Sequence, residues 1–222
     1  MTREQDTYDT RRQAFDQLDR LRDHWYRRPG WRAGRSRYAW HLTFDDAREL
    51  HALAAEIQRA IDLPVVSLVP HDGLHLTMQG VGFSDEVTDR DVAAIVDAAR
   101  LRCRDLSPFD LTLGPVDADA EGVGVFVRPW APVETLRLVL RGAVADVRGA
   151  RSVPGERDGF RPHVTLAYSS ADADPTELRG RLDPLRAMPP VPVRVGYADL
   201  IRLRRDDRVY RWDTVAEVEL AG

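Results

Sequence analysis

Three His-x-Thr triplets stand in the sequence, each within a stretch where apolar side chains alternate with others. They pair His41 with Thr43, His75 with Thr77, and His163 with Thr165. Alternation with a period of two predicts a β-strand, which places the histidine and threonine on one face and the intervening residue on the other. The fold must therefore contain sheet faces on which an imidazole and a hydroxyl point the same way.

The rest of the chain predicts strands and helices in a mixed order. Strands are expected at 38–44, 65–69, 74–79, 109–116, 122–128, 163–168, 193–203 and 209–219. Helices are expected at 3–26, from an N-cap at Asp45 or Asp46 to Ile61, and at 87–104, 132–148 and 175–186. The order strand–helix–strand occurs twice, with hairpins added. It favours an α+β fold over a doubly wound parallel sheet.

Residues 1–37 are predicted to be a helical extension with an arginine-rich linker, and residues 38–222 to be the main domain. Apolar side chains from Tyr8 to Trp25 recur at helical spacing. The segment 27–37 contains five arginines with glycine, proline and serine, which is typical of a loop. Either it is a solvated connector, or its arginines capture phosphate.

Composition excludes several classes of function. The net charge of −4 argues against broad coating of nucleic acid, and the absence of lysine excludes a P-loop, a Schiff base with pyridoxal phosphate, and an adenylated lysine. One cysteine, Cys103, leaves no internal disulfide, and no stretch reaches 18 apolar residues. A cytoplasmic protein without a signal peptide or membrane span is expected.

The triplets suit phosphoryl chemistry without a metal. Two histidines across a cleft can supply the base and acid forms together, because imidazole and imidazolium coexist near neutral pH. Threonine hydroxyls can bind the nonbridging phosphate oxygens. His71, four residues before His75, raises the alternative of a zinc site, but no carboxylate cluster accompanies the pair. No metal is expected.

The segments LHLTMQGVGF at 74–83 and RPHVTLAY at 161–168 resemble the two signature motifs of the two-histidine phosphoesterases, in the branch of the bacterial 2′-5′ RNA ligases and cyclic phosphodiesterases. The resemblance implies a bilobal, pseudo-symmetric fold with two mainly antiparallel sheets flanked by helices around a central cleft. It implies His75 and His163 as catalytic residues, and Thr77 and Thr165 as phosphate-binding residues.

The same resemblance implies a metal-independent phosphodiesterase without a cofactor. Its substrate would be a nucleotide or RNA terminus with a 2′,3′-cyclic or 2′-linked phosphate, and 2′-5′ ligation would be the reverse reaction. We expect a monomer. The alternative is a module that binds a nucleotide or RNA end in the same cleft without turnover.

Strand parity extends the candidate site. Gln79 and Arg161 would share the face of their motif histidines, which favours substrate contacts, with a structural role at the sheet edge as the alternative. Tyr168 would fall on the opposite, core-facing side unless a bulge intervenes. His41 is interpreted as a cleft-lining or sheet-surface residue without a catalytic role.

Overall fold

The chain folds into helices and antiparallel strands, which confirms the α+β prediction. The computed structural model describes residues 2–26, 28–155 and 159–222. Within them the helices are α1 Arg3–Asp16, α2 Arg48–Ala60, α3 Asp89–Cys103, α4 Trp130–Arg148 and α5 Thr176–Leu182. The strands are β1 Ser36–Thr43, β2 Val66–Leu68, β3 His75–Phe83, β4 Phe109–Asp119, β5 Gly122–Arg128, β6 His163–Ser169, β7 Val191–Val195, β8 Tyr197–Asp206 and β9 Val209–Glu219.

The strands form two antiparallel sheets. One has four strands in the order β3-β1-β8-β9, and the other has five in the order β2-β6-β5-β4-β7. The predicted single strand at 193–203 was wrong. Gly196 separates β7, which pairs with β4 in the larger sheet, from β8, which pairs with β1 and β9 in the smaller one. The chain changes sheets at this glycine.

The helices cover the sheets in a crossed arrangement. Helix α2 follows a strand of the four-stranded sheet but packs against β6 and β7 of the other, while α3 and α4 pack against β3 and β9. Leu50, Leu53 and Ile57 form the buried stripe of α2. The predicted aspartate N-cap was wrong, because α2 begins at Arg48 after Ala47, whose side chain makes no capping bond. Helix α2 thus follows a strand of the four-stranded sheet but covers the five-stranded one, and α4 follows a strand of the five-stranded sheet but covers the four-stranded one.

The N-terminal helix is shorter than predicted. It ends at Asp16, and the following backbone bonds to the main domain instead of continuing the helix: the amides of Leu21 and His24 donate to the carbonyls of Ala173 at 2.8 Å and Ser169 at 2.9 Å. Leu21 is fully buried in the main hydrophobic core. Tertiary hydrogen bonds and burial therefore override the helical periodicity. The boundary at residue 37 stays a prediction, and Arg27 lies outside the described residues.

None of the helices in the described ranges is long and apolar enough to cross a bilayer.

Candidate active site

The two motif strands lie opposite each other and enclose a cleft. Strand β3 belongs to the four-stranded sheet and β6 to the five-stranded sheet, and the two are in contact. His75, Thr77, His163 and Thr165 all line one cavity of about 330 Å³. The structure therefore brings together both histidines and both threonines of the resemblance.

Both motif histidines are oriented in the same way. Nδ1 of His75 lies 2.8 Å from the carbonyl oxygen of Gly73, and Nδ1 of His163 lies 3.0 Å from that of Arg161. A carbonyl oxygen only accepts, so each Nδ1 carries the proton and donates it. Nε2 is then the nitrogen left for chemistry in both halves of the molecule.

Desolvation by the walls of the cleft keeps these imidazoles neutral, although His75 is only half-buried and His163 is exposed. Desolvation lowers the pKa of His75 to about 4, and the neighbouring His163 adds to this. The pKa of His163 is also lowered, first by desolvation and then by the Arg161 guanidinium, although Asp119 and Asp117 act in the opposite direction. A bound phosphate anion would raise both pKa values, because it favours the imidazolium forms.

His41 lies directly behind His75. The two rings stack with centroids 4.3 Å apart and an angle of 5° between their planes, and the Trp212 ring meets both edge-on. His41 is fully buried, and its Nε2 lies 3.4 Å from Oγ1 of Thr77. Its triplet partner Thr43 instead donates to Asp199 at 2.6 Å. His41 therefore supports the triplet of His75 and Thr77, and its own partner Thr43 is engaged with Asp199.

A bulge follows the threonine in each motif strand. In the pairing of β1 with β3, His41 opposes Thr77 and Trp40 opposes Gln79, so the residue between Thr77 and Gln79 has no partner. In the pairing of β5 with β6, the extra residue falls in the same way between Thr165 and Ala167. An extra residue reverses the facing of everything after it. The third position after each threonine, Gly80 or Tyr168, therefore lines the cleft.

Gln79 is not in the cleft, which corrects the parity prediction. The bulge turns it away from the motif histidine, and it is 3% exposed. Its Nε2 donates to the carbonyls of Gly80 at 2.9 Å and Pro154 at 2.7 Å, and its Oε1 accepts from Arg141 at 3.3 Å. Gln79 is a structural link between β3 and the loop after α4.

Replacing Gln79 by alanine should lower stability and leave chemistry intact. It would remove the bonds to the Gly80 and Pro154 carbonyls and the Gln79 oxygen that accepts from Arg141, at a cost of about 1–3 kcal/mol in the free energy of unfolding. Urea unfolding measures this change. The kcat of the folded variant should stay within a factor of about three, and a loss of kcat without a loss of stability would return Gln79 to the site.

Tyr168 lies on the cleft side, contrary to the expectation for a regular strand. Its ring stacks on His24 with centroids 4.0 Å apart, and Tyr210 meets it edge-on. His24 bonds through Nδ1 to Glu121 at 3.1 Å and through Nε2 to the Tyr210 hydroxyl at 3.0 Å. These rings form an aromatic wall, defined here as His24, Tyr168 and Tyr210, along one side of the cleft.

Arg161 lies next to His163 in an adjoining cavity of about 120 Å³. Its guanidinium pairs with Asp117 at 3.0 Å, and Arg11 from α1 binds the same carboxylate at 2.9 Å. Burial and the nearby Arg11 charge lower the pKa of Arg161. Its position beside His163 agrees with the expected substrate contact, which stays a prediction, although Asp117 already satisfies part of its charge.

Four further cleft residues come from segments that the sequence interpretation left outside the site. His24, Arg28, Trp31 and Arg37 all line the main cavity. The only signal for Arg28, Trp31 and Arg37 is the arginine-rich stretch, for which phosphate capture is the alternative to a solvated connector, and His24 lies in the predicted helix 3–26 without any such signal. Arg28 forms an ion pair with Glu121.

The described part of the chain contains no group of three or more histidine, cysteine, aspartate or glutamate side chains placed to hold a metal ion. His71 stacks on His51 with centroids 5.1 Å apart, and Nδ1 of His75 is engaged with Gly73.

The sequence matches the family model of the 2′-5′ RNA ligase superfamily over residues 49–207, well over half of the chain. The protein therefore belongs to this superfamily of two-histidine phosphoesterases, as the motif resemblance indicated. The first 48 residues lie outside the matched region, and they contain all four of these further cleft residues.

Solved structures with the same fold include two bacterial proteins. TT0787 of Thermus thermophilus has a TM-score of 0.65 and 21% identity, and the match covers 84% of this chain and 98% of that one. LigT of E. coli, complexed with 3′-AMP, has a TM-score of 0.63 and 19% identity, covering 85% and 99%. At these identities the likeness establishes the bilobal fold. No curated protein sequence matches the chain.

Proposed function

We propose that the protein is a metal-independent phosphodiesterase that hydrolyses 2′,3′-cyclic or related phosphodiesters of nucleotides or RNA ends, with 2′-5′ ligation as the reverse reaction. The observation that carries the proposal is the matched pair His75 and His163, each with Nδ1 held by a backbone carbonyl and each lining the same cleft. LigT structures with 3′-AMP and with phosphate support a nucleotide as the ligand.

In the proposed reaction one imidazole takes a proton from water through Nε2, and the water oxygen attacks phosphorus. The bond from phosphorus to one ribose oxygen breaks, and the other histidine, as imidazolium, gives that oxygen its proton. The product is a phosphate monoester beside a free hydroxyl. The hydroxyls of Thr77 and Thr165 stabilise the charge on the nonbridging oxygens.

Differences between the surroundings of the two histidines support a division of these roles. His75 has neutral aromatic neighbours, His41 and Trp212, and a pKa of about 4, which favours the imidazole form and the role of base. Desolvation and the Arg161 charge lower the pKa of His163 as well, but Asp119 and Asp117 act in the opposite direction, and these carboxylates favour the imidazolium form and the role of acid. In ligation the roles are exchanged.

His41 positions the Thr77 hydroxyl. Its buried Nδ1 has no hydrogen-bond partner among the described residues. An orphaned buried N–H is rarer than an orphaned acceptor, so the proton belongs on Nε2, which then donates to Thr77. The Thr77 oxygen accepts this bond and keeps its own proton for the phosphate.

The test is hydrolysis of 2′,3′-cyclic AMP in EDTA. We expect turnover with a bell-shaped pH dependence of kcat/KM, which reports the free enzyme. Because burial lowers the pKa of both histidines, the maximum should lie below pH 6.5, the ordinary pKa of histidine. The kcat profile should be displaced to higher pH, since the bound phosphate stabilises the imidazolium.

Three outcomes would contradict the proposal. Activity that EDTA abolishes would assign the chemistry to a metal. Tight binding of 3′-AMP without turnover of any cyclic or 2′-5′-linked substrate would favour the binding module. A bell centred well above pH 7 in kcat/KM would contradict the roles given to the two cleft imidazoles.

A further inference from the structure

Arg37 brings a positive charge to the cleft, and no carboxylate in the described part of the protein forms an ion pair with it. It lies on β1 with Ala39 and His41 on the same face, and all three line the main cavity. No hydrogen bond or ion pair joins its guanidinium to any described residue, and its Nε is buried without a partner. A partly buried guanidinium without an ion-pair partner is costly to a protein, so its place at the cleft needs a reason.

The nearest carboxylates are already occupied. Arg35, two residues earlier, binds Asp85 at 2.7 Å and Glu86 at 2.6 Å, and its guanidinium covers the Phe83 ring at 3.7 Å. Arg37 lies 5.6 Å from the same ring, which gives it a weak cation–π contact. Glu86 acts on Arg37 only at a distance, and burial lowers the pKa of Arg37.

Gly80 opens the space that Arg37 uses. A Cβ atom at this position would lie 2.6 Å from Nη2 of Arg37, too close for both to stay in place. The bulge brings Gly80 onto the same face of β3 as Thr77. The two residues are neighbours on that face, roughly 7 Å apart along the strand. The guanidinium therefore lies about the length of one nucleoside from the place where Thr77 and Thr165 would bind the reacting phosphate.

We propose that Arg37 is the core of a second anion subsite, which binds a phosphate group one nucleoside away from the reacting phosphate. The inference rests on the proposed function and adds a substrate class: nucleotides or RNA ends that carry two phosphates. Arg28 lines the same cleft, but Glu121 neutralises it, so the uncompensated charge is that of Arg37. The second phosphate is either a 5′-phosphate or the phosphodiester of a preceding nucleotide.

Three substrates test the subsite and separate its two sources. They are adenosine 2′,3′-cyclic phosphate, the same nucleotide with a 5′-phosphate, and a diribonucleotide that ends in a 2′,3′-cyclic phosphate. The wild type should prefer one or both of the substrates with two phosphates. Arg37→Gln should lower kcat/KM for the preferred substrate about 10- to 100-fold, mainly through KM, and change that of the simple cyclic nucleotide less than threefold.

Two controls make the result decisive. Arg100→Gln removes an exposed arginine on α3 that does not line the cleft, and it should not alter the preference. Arg37→Gln should not lower Tm, because the guanidinium has no hydrogen bond to lose among the described residues. Equal losses on all three substrates, or no preference in the wild type, would overturn the subsite. Absence of turnover on every substrate would instead overturn the proposed function.

Discussion

Replacing His163 by alanine is expected to remove hydrolysis of 2′,3′-cyclic AMP, with a loss of about 10²- to 10⁴-fold in kcat, but to spare a substrate whose leaving group needs no proton. The probe is 3′-deoxyadenosine 2′-(p-nitrophenyl phosphate), which has no neighbouring hydroxyl and releases nitrophenolate. His75→Ala should impair both substrates, because water must lose a proton in either reaction. The contrast follows from the different neighbours of the two histidines.

Steady-state kinetics with both substrates measures this contrast. The kcat of the double variant should be only slightly below that of the less active single variant, because the effects of removing groups that act as a unit are not additive. His71→Ala is the matched control, since His71 is exposed and does not line the cleft. If His75→Ala is the variant that spares the nitrophenyl ester, the roles are exchanged. Equal losses on both substrates would contradict an acid–base division altogether.

Acidification is expected to destabilise the fold through His24, the ring at the centre of the aromatic wall. Burial lowers its pKa to about 4, and the Arg28 charge adds to this. In the unfolded chain a histidine takes up its proton near pH 6.5. The unfolded state therefore binds more protons between these values, and the free energy of unfolding falls as the pH decreases from 6.5 to 4, by up to about 3 kcal/mol for this residue.

Urea unfolding at pH 7 and pH 4 measures the effect. His24→Gln and His24→Phe cannot be protonated, so both should lose less stability than the wild type over this range, by up to the same ~3 kcal/mol. Either variant is expected to be less stable at pH 7, because the bonds to Glu121 and Tyr210 are lost or weakened. An unchanged difference between the two pH values in both variants would refute the contribution of His24.

The motif strands show what the sequence could predict. Alternation placed His75 and Thr77, and likewise His163 and Thr165, on the correct strands and on common faces. The same rule failed one residue later, because each strand contains a bulge after its threonine. A bulge is a property of the pairing between two strands, and a single strand's pattern does not contain it. Gln79 was therefore placed wrongly.

The N-terminal segment shows a different limit. Periodicity extended the first helix to residue 26, but the chain leaves the helix at Asp16 and bonds to loops more than 100 residues away in sequence. Such contacts depend on the completed main domain, so no local pattern could show that His24 and Arg28 reach the cleft. The split at Gly196 between two sheets escaped prediction for the same reason.

The two bulges lie at equivalent positions on opposite walls of the cleft, but they expose different residues. One exposes a glycine, which admits a guanidinium, and the other exposes the ring of Tyr168. The two motif histidines alone could accept a phosphodiester in either direction, since each imidazole can give or take a proton. With a cation on one wall and an aromatic face on the other, we expect a substrate to bind with a fixed polarity. A nearly symmetric catalyst would then distinguish the two ends of its substrate.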